Sequence, residues 1–216
     1  MTPILYGYFR SSAAYRVRIA LNLKGIAYEQ RPVHLLRDGG EHLKEDFRRL
    51  NPQGLVPVWA DGKVTLSQSL AIIEYLDETD DGFPLLPGDP AARAGIRQFA
   101  LAIACDVHPI ANLRVLKYLT QELGVTDDAK TGWIRHWITS GLQALEAGLA
   151  ASERLGRFCF GDQPTMADCC LVPQLFNARR FGVDMDAFPL LAAIDRECTE
   201  MDAFRQAHPG MQPDAE

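Results

Sequence analysis

Several things are missing from this sequence, and each absence closes off a class of function. No Cys-x-x-Cys pair is present. The five cysteines (Cys105, Cys159, Cys169, Cys170 and Cys198) are odd in number, so neither a zinc site nor a disulfide frame is expected. They read as free thiols in a reducing, cytoplasmic compartment. No run approaches the ~20 apolar residues of a membrane span. Pro3 to Phe9 is apolar but stops at Arg10-Ser11, so neither a targeting segment nor a membrane partner is expected. There is no excess of positive charge. The 22 Lys and Arg face 28 Asp and Glu, a net of −6, which leaves no electrostatic footprint for nucleic acid or a lipid surface. Repeats and low-complexity tracts are absent too. An acidic chain that binds an acidic ligand must gather its positive charge locally, so individual arginines matter more than the total.

What is present divides into two parts. Residues 3–8 read as a short strand, Ala13 to Lys24 as a helix with an apolar stripe of Val17, Ala20, Leu21 and Leu23 stopped by Gly25, and residues 27–33 as a second strand. Strand, helix and strand within so few residues predict a crossover with parallel strands. A short helix is expected near 42–49, then a turn at Asn51-Pro52-Gln53-Gly54. The runs 56–59 and 64–66 flank Asp61-Gly62, a hairpin signal, and Gln68 to Glu78 reads as a helix. Pro84, Pro87 and Pro90 mark a linker. Beyond it the periodicity is helical over 91–123, 131–151, from about 165, and over 189–204. The expected architecture is an α/β domain at 1–83 followed by an all-α domain at 91–216.

Three features of the first part could carry chemistry. Val56-Pro57 joins a turn to a hairpin strand and is a candidate cis peptide. Beside it, Val56 would offer its backbone N–H and C=O to a peptide-like ligand, although the dipeptide also fits a strand that merely begins with proline. Gln68-Ser69 opens a helix, a favourable place for a carboxylate and equally for an ordinary cap. Ser11-Ser12 lies where the first strand meets the first helix, the crevice of a parallel unit. A hydroxyl there can stabilise a thiolate or simply cap the helix. The order of all three within one small unit is more telling than any one alone.

That order, with the run Tyr8-Phe9-Arg10-Ser11-Ser12-Ala13-Ala14-Tyr15-Arg16-Val17-Arg18-Ile19-Ala20-Leu21, resembles the zeta class of glutathione transferases, whose signature is S-S-C-x-[WH]-R-V-R-I-A-L. The likeness continues through Asp38-Gly39-Gly40, Leu55-Val56-Pro57, Gln68 to Leu76, His108-Pro109, Thr165 to Asp168, Asn177 to Phe181 and Gln212-Pro213-Asp214. It covers essentially the whole chain. One departure is Ala13, which stands where the signature has cysteine.

The resemblance implies a thioredoxin-like glutathione-binding domain, a helical substrate domain, glutathione as cofactor and a homodimer. It implies isomerisation of a maleyl dicarboxylic acid, maleylacetoacetate or maleylpyruvate, to the fumaryl form in the breakdown of aromatic compounds. A cis alkene does not rotate, but thiolate addition makes the bond single and thiolate loss returns it as trans. Because glutathione brings its own thiol, Ala13 leaves this route open. By matching positions, Ser11 would hold the thiolate, with Ser12 in reserve. Val56 beside a cis Pro57 would pair with the cysteinyl backbone. Gln68 and Ser69 would take the γ-glutamyl end and His42 the glycyl carboxylate, with His108 and Asn112 lining the cleft. Arg10, Arg114 and Arg180 are the candidates for substrate carboxylates, since the guanidinium fork matches that group. The alternatives are a zeta-class transferase for small haloacids or electrophiles, and a non-catalytic glutathione-binding protein. Asp168 in Thr165-Met166-Ala167-Asp168 reads as part of a helix cap, Trp133 and Trp137 as packing, and Cys169 and Cys170 as buried and inert.

Overall fold

A computed structural model describes residues 2–216. They form two compact units. One runs to Leu86 and takes in Thr199–Glu216, and the other is Pro87–Cys198. Residues 199–216, expected with the helical domain at 91–216, thus pack in the first unit. Buried Phe204 and Ala207 supply the apolar contact. Asn22 Nδ2 donates to the Ala203 carbonyl at 2.9 Å and Arg18 Nε to the Ala207 carbonyl at 3.0 Å.

The first unit carries a sheet of order β2-β1-β3-β4, comprising β1 (Ile4–Gly7), β2 (Glu29–Pro32), β3 (Val58–Ala60) and β4 (Thr65–Ser67). β1 and β2 are parallel, with Leu5 opposite Gln30. β3 runs antiparallel to β1 and to β4, so Trp59 sits between Leu5 and Leu66. The crossover is α1 (Ser12–Lys24), which ends where Gly25 takes φ +68 and its N–H reaches the Leu21 and Asn22 carbonyls, a left-handed cap that glycine adopts without steric cost. α1 packs on α3 (Ser69–Thr79) and α9 (Asp202–Ala207). A Cβ on Gly7 would stand 3.2 Å from that of Ala14, so two small residues let β1 and α1 approach closely. The hairpin turn is held by Asp61, whose Oδ1 accepts the N–H groups of Lys63 and Val64 at 2.9 and 3.0 Å. The helix expected at 42–49 splits: Glu41–Leu43 is a 3-10 turn, Lys44 is extended, and α2 (Glu45–Leu50) follows.

The second unit is helical: α4 (Pro90–Leu101), α5 (Leu113–Gln121), α6 (Asp127–Ala150), α7 (Met166–Arg180) and most of α8 (Pro189–Thr199). The period read over 91–123 is not one helix. Ala102–Val107 is a π-helical turn and His108–Ala111 a 3-10 turn. Pro109 removes a backbone donor there, and extended Asn112 caps α5 by accepting the Arg114 N–H. By length and composition Pro90–Gln121 could cross a membrane, an 18-residue window within it reaching a mean hydropathy of 1.4, but the segment carries Arg93, Arg97, Asp106, Arg114 and Lys117 and α4 packs on α7. α6 buries Ile134, Ile138, Leu142, Leu145 and Leu149, one stripe at helical spacing. Trp133 and Trp137 meet edge to face at 5.7 Å. The helix expected over 189–204 breaks at extended Met201, between α8 and α9.

Candidate functional site

The candidate site in the first unit lies at the carboxyl end of β1. The β1–β3 register ends with Tyr6 opposite Val58, two residues before Tyr8 on one strand and two after Val56 on the other. Ser11 caps α1 and its Oγ accepts the Ala14 N–H at 3.2 Å. A hydroxyl has two lone pairs and one proton, so capping leaves the O–H able to donate. Ser11 is half-buried, whereas Ser12, the first residue of α1, is buried. This separates the two serines that the sequence left together.

The Val56-Pro57 bond is cis. Val56 is half-buried against the cluster of Val33, Phe47 and Val58. Among the described residues no hydrogen bond engages its backbone N–H or C=O, so both remain for a strand-like ligand.

Gln68 precedes α3 in a conformation that side chains rarely take, φ +74 and ψ 111. Its Nε2 donates to Gln53 Oε1 at 3.1 Å. Ser69 is buried, and its Oγ accepts from Arg16 Nη1 at 3.2 Å. Arg16 is only 1% exposed. It places a positive charge behind the amino end of α3, where the helix dipole already favours an anion. His42 lies buried in its 3-10 turn with its ring over Gly40, and its carbonyl is 3.0 Å from where a Cβ on Gly54 would stand. Arg16 and Ser69, and Gln68 and Gln53, are thus joined by hydrogen bonds around the start of α3, and His42 approaches Gly54 closely.

Arg10 is half-buried. Its guanidinium lies 5.1 Å from the Phe9 ring centre and donates to the Tyr8 hydroxyl at 3.2 Å. The remaining candidates belong to the second unit. His108 starts the 3-10 turn, Asn112 spends its side-chain oxygen on the α5 cap, Arg114 is exposed on α5, and Arg180 is exposed at the end of α7 with its guanidinium 5.1 Å from the Phe181 ring centre.

No sequence pattern assigns a role to Arg16 or Arg18. Both are 1% exposed on α1, and a pair of arginines inside an otherwise apolar helix was the available signal. Burial lowers the Arg18 pKa to about 10, opposed by Tyr28, Tyr15 and Asp214. Asp168 is a cap residue and wholly buried. Its carboxylate accepts from Thr165 N, Thr165 Oγ1 and Cys159 N at 2.7, 3.0 and 2.9 Å. Burial raises its pKa, and the donors on Cys159 and Thr165 pull it back. Cys159 and Cys198 are buried thiols pushed up mainly by desolvation. Among the described residues no acidic, histidine or cysteine cluster could hold a metal.

The glutathione S-transferase N-terminal domain family matches residues 10–79, and the C-terminal domain family matches residues 135–211. The chain is 53% identical over 215 residues to a probable maleylacetoacetate isomerase of Vibrio cholerae, covering 100% of this chain and 99% of that one. It superposes with a TM-score of 0.95 on a maleyl pyruvate isomerase described as a bacterial glutathione S-transferase in the zeta class, at 48% identity and covering 99% and 100%. A maleylacetoacetate isomerase from Anaeromyxobacter dehalogenans 2CP-1, with dicarboxyethyl glutathione and citrate bound in its active site, gives 0.86 at 42% identity, covering 100% and 94%.

Proposed function

Because this chain belongs to the glutathione S-transferase family, in its zeta class, we propose that it is a glutathione-dependent isomerase turning a maleyl dicarboxylic acid into its fumaryl isomer. Glutathione, when bound, supplies the thiolate that adds to the cis alkene and departs after rotation. The observation that carries the reading is the cis Val56-Pro57 bond with the Val56 backbone N–H and C=O unengaged, in the same unit as the half-buried Ser11 hydroxyl at the start of α1. In this reading a strand-like ligand held at Val56 directs its thiol toward the Ser11 hydroxyl and the amino end of α1. The Ser11 O–H donates to the thiolate. Ser69, backed by Arg16, and Gln68 take the γ-glutamyl end, and His42 takes the glycyl carboxylate. Ser12, buried within α1, supports the turn.

The helical unit gives the substrate side. Arg114 and Arg180, with Arg10 from the first unit, are read as carboxylate-binding, and His108 and Asn112 as lining residues. The dicarboxyethyl glutathione and citrate carried together by the Anaeromyxobacter enzyme support a site suited to dicarboxylates. The proposed division gives 1–83 to glutathione and the helical unit to substrate, with residues 199–216 lying in the first unit. A homodimer in the cytoplasm completes the reading, and the free thiols, four of them buried, suit a reducing compartment.

The test is turnover of maleylpyruvate and maleylacetoacetate with and without glutathione. Glutathione-dependent appearance of the trans product supports the reading, and the rate ratio identifies the substrate. No turnover of either, with glutathione still bound, leaves the haloacid transferase or a binding role.

Gln68 makes a second prediction. A side chain held in that backbone region costs roughly 1–3 kcal/mol, which glycine relieves while losing part of the gain to unfolded-chain entropy. Gln68→Gly should hold or raise the thermal midpoint while raising KM for glutathione about tenfold, the loss of one to two hydrogen bonds. Falling stability with unchanged KM would deny Gln68 this role.

A further inference from the structure

Between β1 and α1 the chain has to turn sharply while keeping Ser11 oriented, and residues distant in sequence hold that turn at two points. The Phe9 carbonyl accepts Arg18 Nη2 at 2.9 Å, and the Phe9 N–H donates to Asp214 Oδ2 at 2.9 Å. Ser11 N–H then closes the turn on the Tyr8 carbonyl at 2.9 Å. Asp214 Oδ1 also accepts Gln30 Nε2, at 3.4 Å, from β2. The segment bearing Asp214 is itself fixed, because buried Gln212 donates through Nε2 to the Gln206 and His208 carbonyls at 2.8 and 2.9 Å.

A parallel arrangement holds the loop that leads to His42. Glu216 Oε1 is bonded by His34 Nε2 at 3.1 Å and by Arg37 Nη2 at 3.0 Å. His34 Nδ1 accepts the N–H groups of Leu36 and Arg37 at 3.1 and 2.7 Å, which leaves Nε2 as the nitrogen that bears the proton. His34 N–H and the Glu41 carboxylate are 2.7 Å apart, one residue before His42.

We infer that Asp214 is a positioning residue for the glutathione site. Its carboxylate fixes Phe9 and thereby sets where the next residues, Arg10 and Ser11, present their side chains, while Glu216, two residues further along the same segment, steadies the 34–42 loop. The inference rests on Ser11 facing the thiolate, as proposed above. Misplacing a catalytic group by a fraction of an ångström lowers the rate far more than it lowers binding. The charged group that the structure sets against Asp214 is Arg18, while His34 and Arg37 face Glu216. Asp214 helps keep Arg18 protonated against the burial that lowers its pKa to about 10.

Asp214→Ala, Asp214→Asn and Ser11→Ala separate the possibilities. Two measurements do not depend on turnover: amide exchange of residues 8–12 in the glutathione-free protein, and the pH titration of bound glutathione by its thiolate absorbance. Loss of a negative charge by itself would lower the thiol pKa, and both Asp214 variants lose that charge. Asparagine retains an oxygen that can accept the Phe9 N–H. Asp214→Ala should speed exchange of the 9–12 amides about tenfold and raise the thiol pKa. It should also lower kcat about tenfold with KM for glutathione changed less than about threefold, and Asp214→Asn should restore most of each. Wild-type exchange and titration in Asp214→Ala, or the same shift in both variants, would overturn the inference. If Ser11→Ala leaves the titration unchanged, the role given to Ser11 fails, and the inference about Asp214 fails with it whatever the exchange shows.

Discussion

Ser11→Ala is expected to lower kcat for glutathione-dependent isomerisation about a hundredfold, the range found when one donor to a developing or stabilised anion is removed. The physical reason is the division of labour at Ser11 Oγ. One lone pair caps α1 through the Ala14 N–H, and the proton remains for the thiolate. An ordinary thiol has a pKa of about 8.5, so only a few per cent is thiolate at neutral pH. Without the hydroxyl the bound thiol should titrate closer to that value, and the pH–rate profile should move up with it. Loss of the cap should also cost about 1 kcal/mol of stability, read as a small fall in denaturation midpoint. Ser12→Ala, at a buried position inside the helix, should change kcat by much less. Equal losses in the two variants would return the choice between the serines to where the sequence left it.

The second large effect is on stability. Asp168→Ala removes the acceptor for three hydrogen bonds from a wholly buried site, leaving Thr165 N–H, Thr165 Oγ1 and Cys159 N–H without it. Stranding buried donors costs about 1–3 kcal/mol each, partly relieved by relaxation, and the capping box contributes about 1 kcal/mol. A loss of about 3 kcal/mol or more in chemical denaturation is expected, with Asp168→Asn recovering part of it. The folded fraction should keep the glutathione titration of the parent, because Asp168 belongs to the helical unit and is not placed among the glutathione ligands. A stable Asp168→Ala with altered thiol titration would contradict both statements.

Much of this was legible in the sequence. The crossover, the Asp-Gly hairpin and the helix opening at Gln68-Ser69 follow from short-range patterns, and the residues proposed for glutathione lie in those elements. The Thr165–Asp168 cap was legible for the same reason. Long-range geometry was not. The period over 91–123 remains apolar through the π-helical turn and Pro109, so pattern alone joins α4 to α5. Residues 199–216 carry a helical pattern that does not say which unit they cover, and hydrogen bonds from Asn22 and Arg18 on α1 decide it. Arg16 and Arg18 look like surface charges until α3 and α9 close over α1. Gln68 at φ +74 could not be foreseen, since a non-glycine residue in that region is held by its surroundings rather than by its own preference.

The central claim is that the nucleophile is borrowed, the thiol of glutathione rather than any group of this chain. S-methylglutathione retains the backbone and both carboxylates but cannot form a thiolate, so it tests the claim most directly. It should bind competitively with glutathione and support no isomerisation of either maleyl substrate. Isomerisation at the glutathione rate with S-methylglutathione in the site would contradict the account.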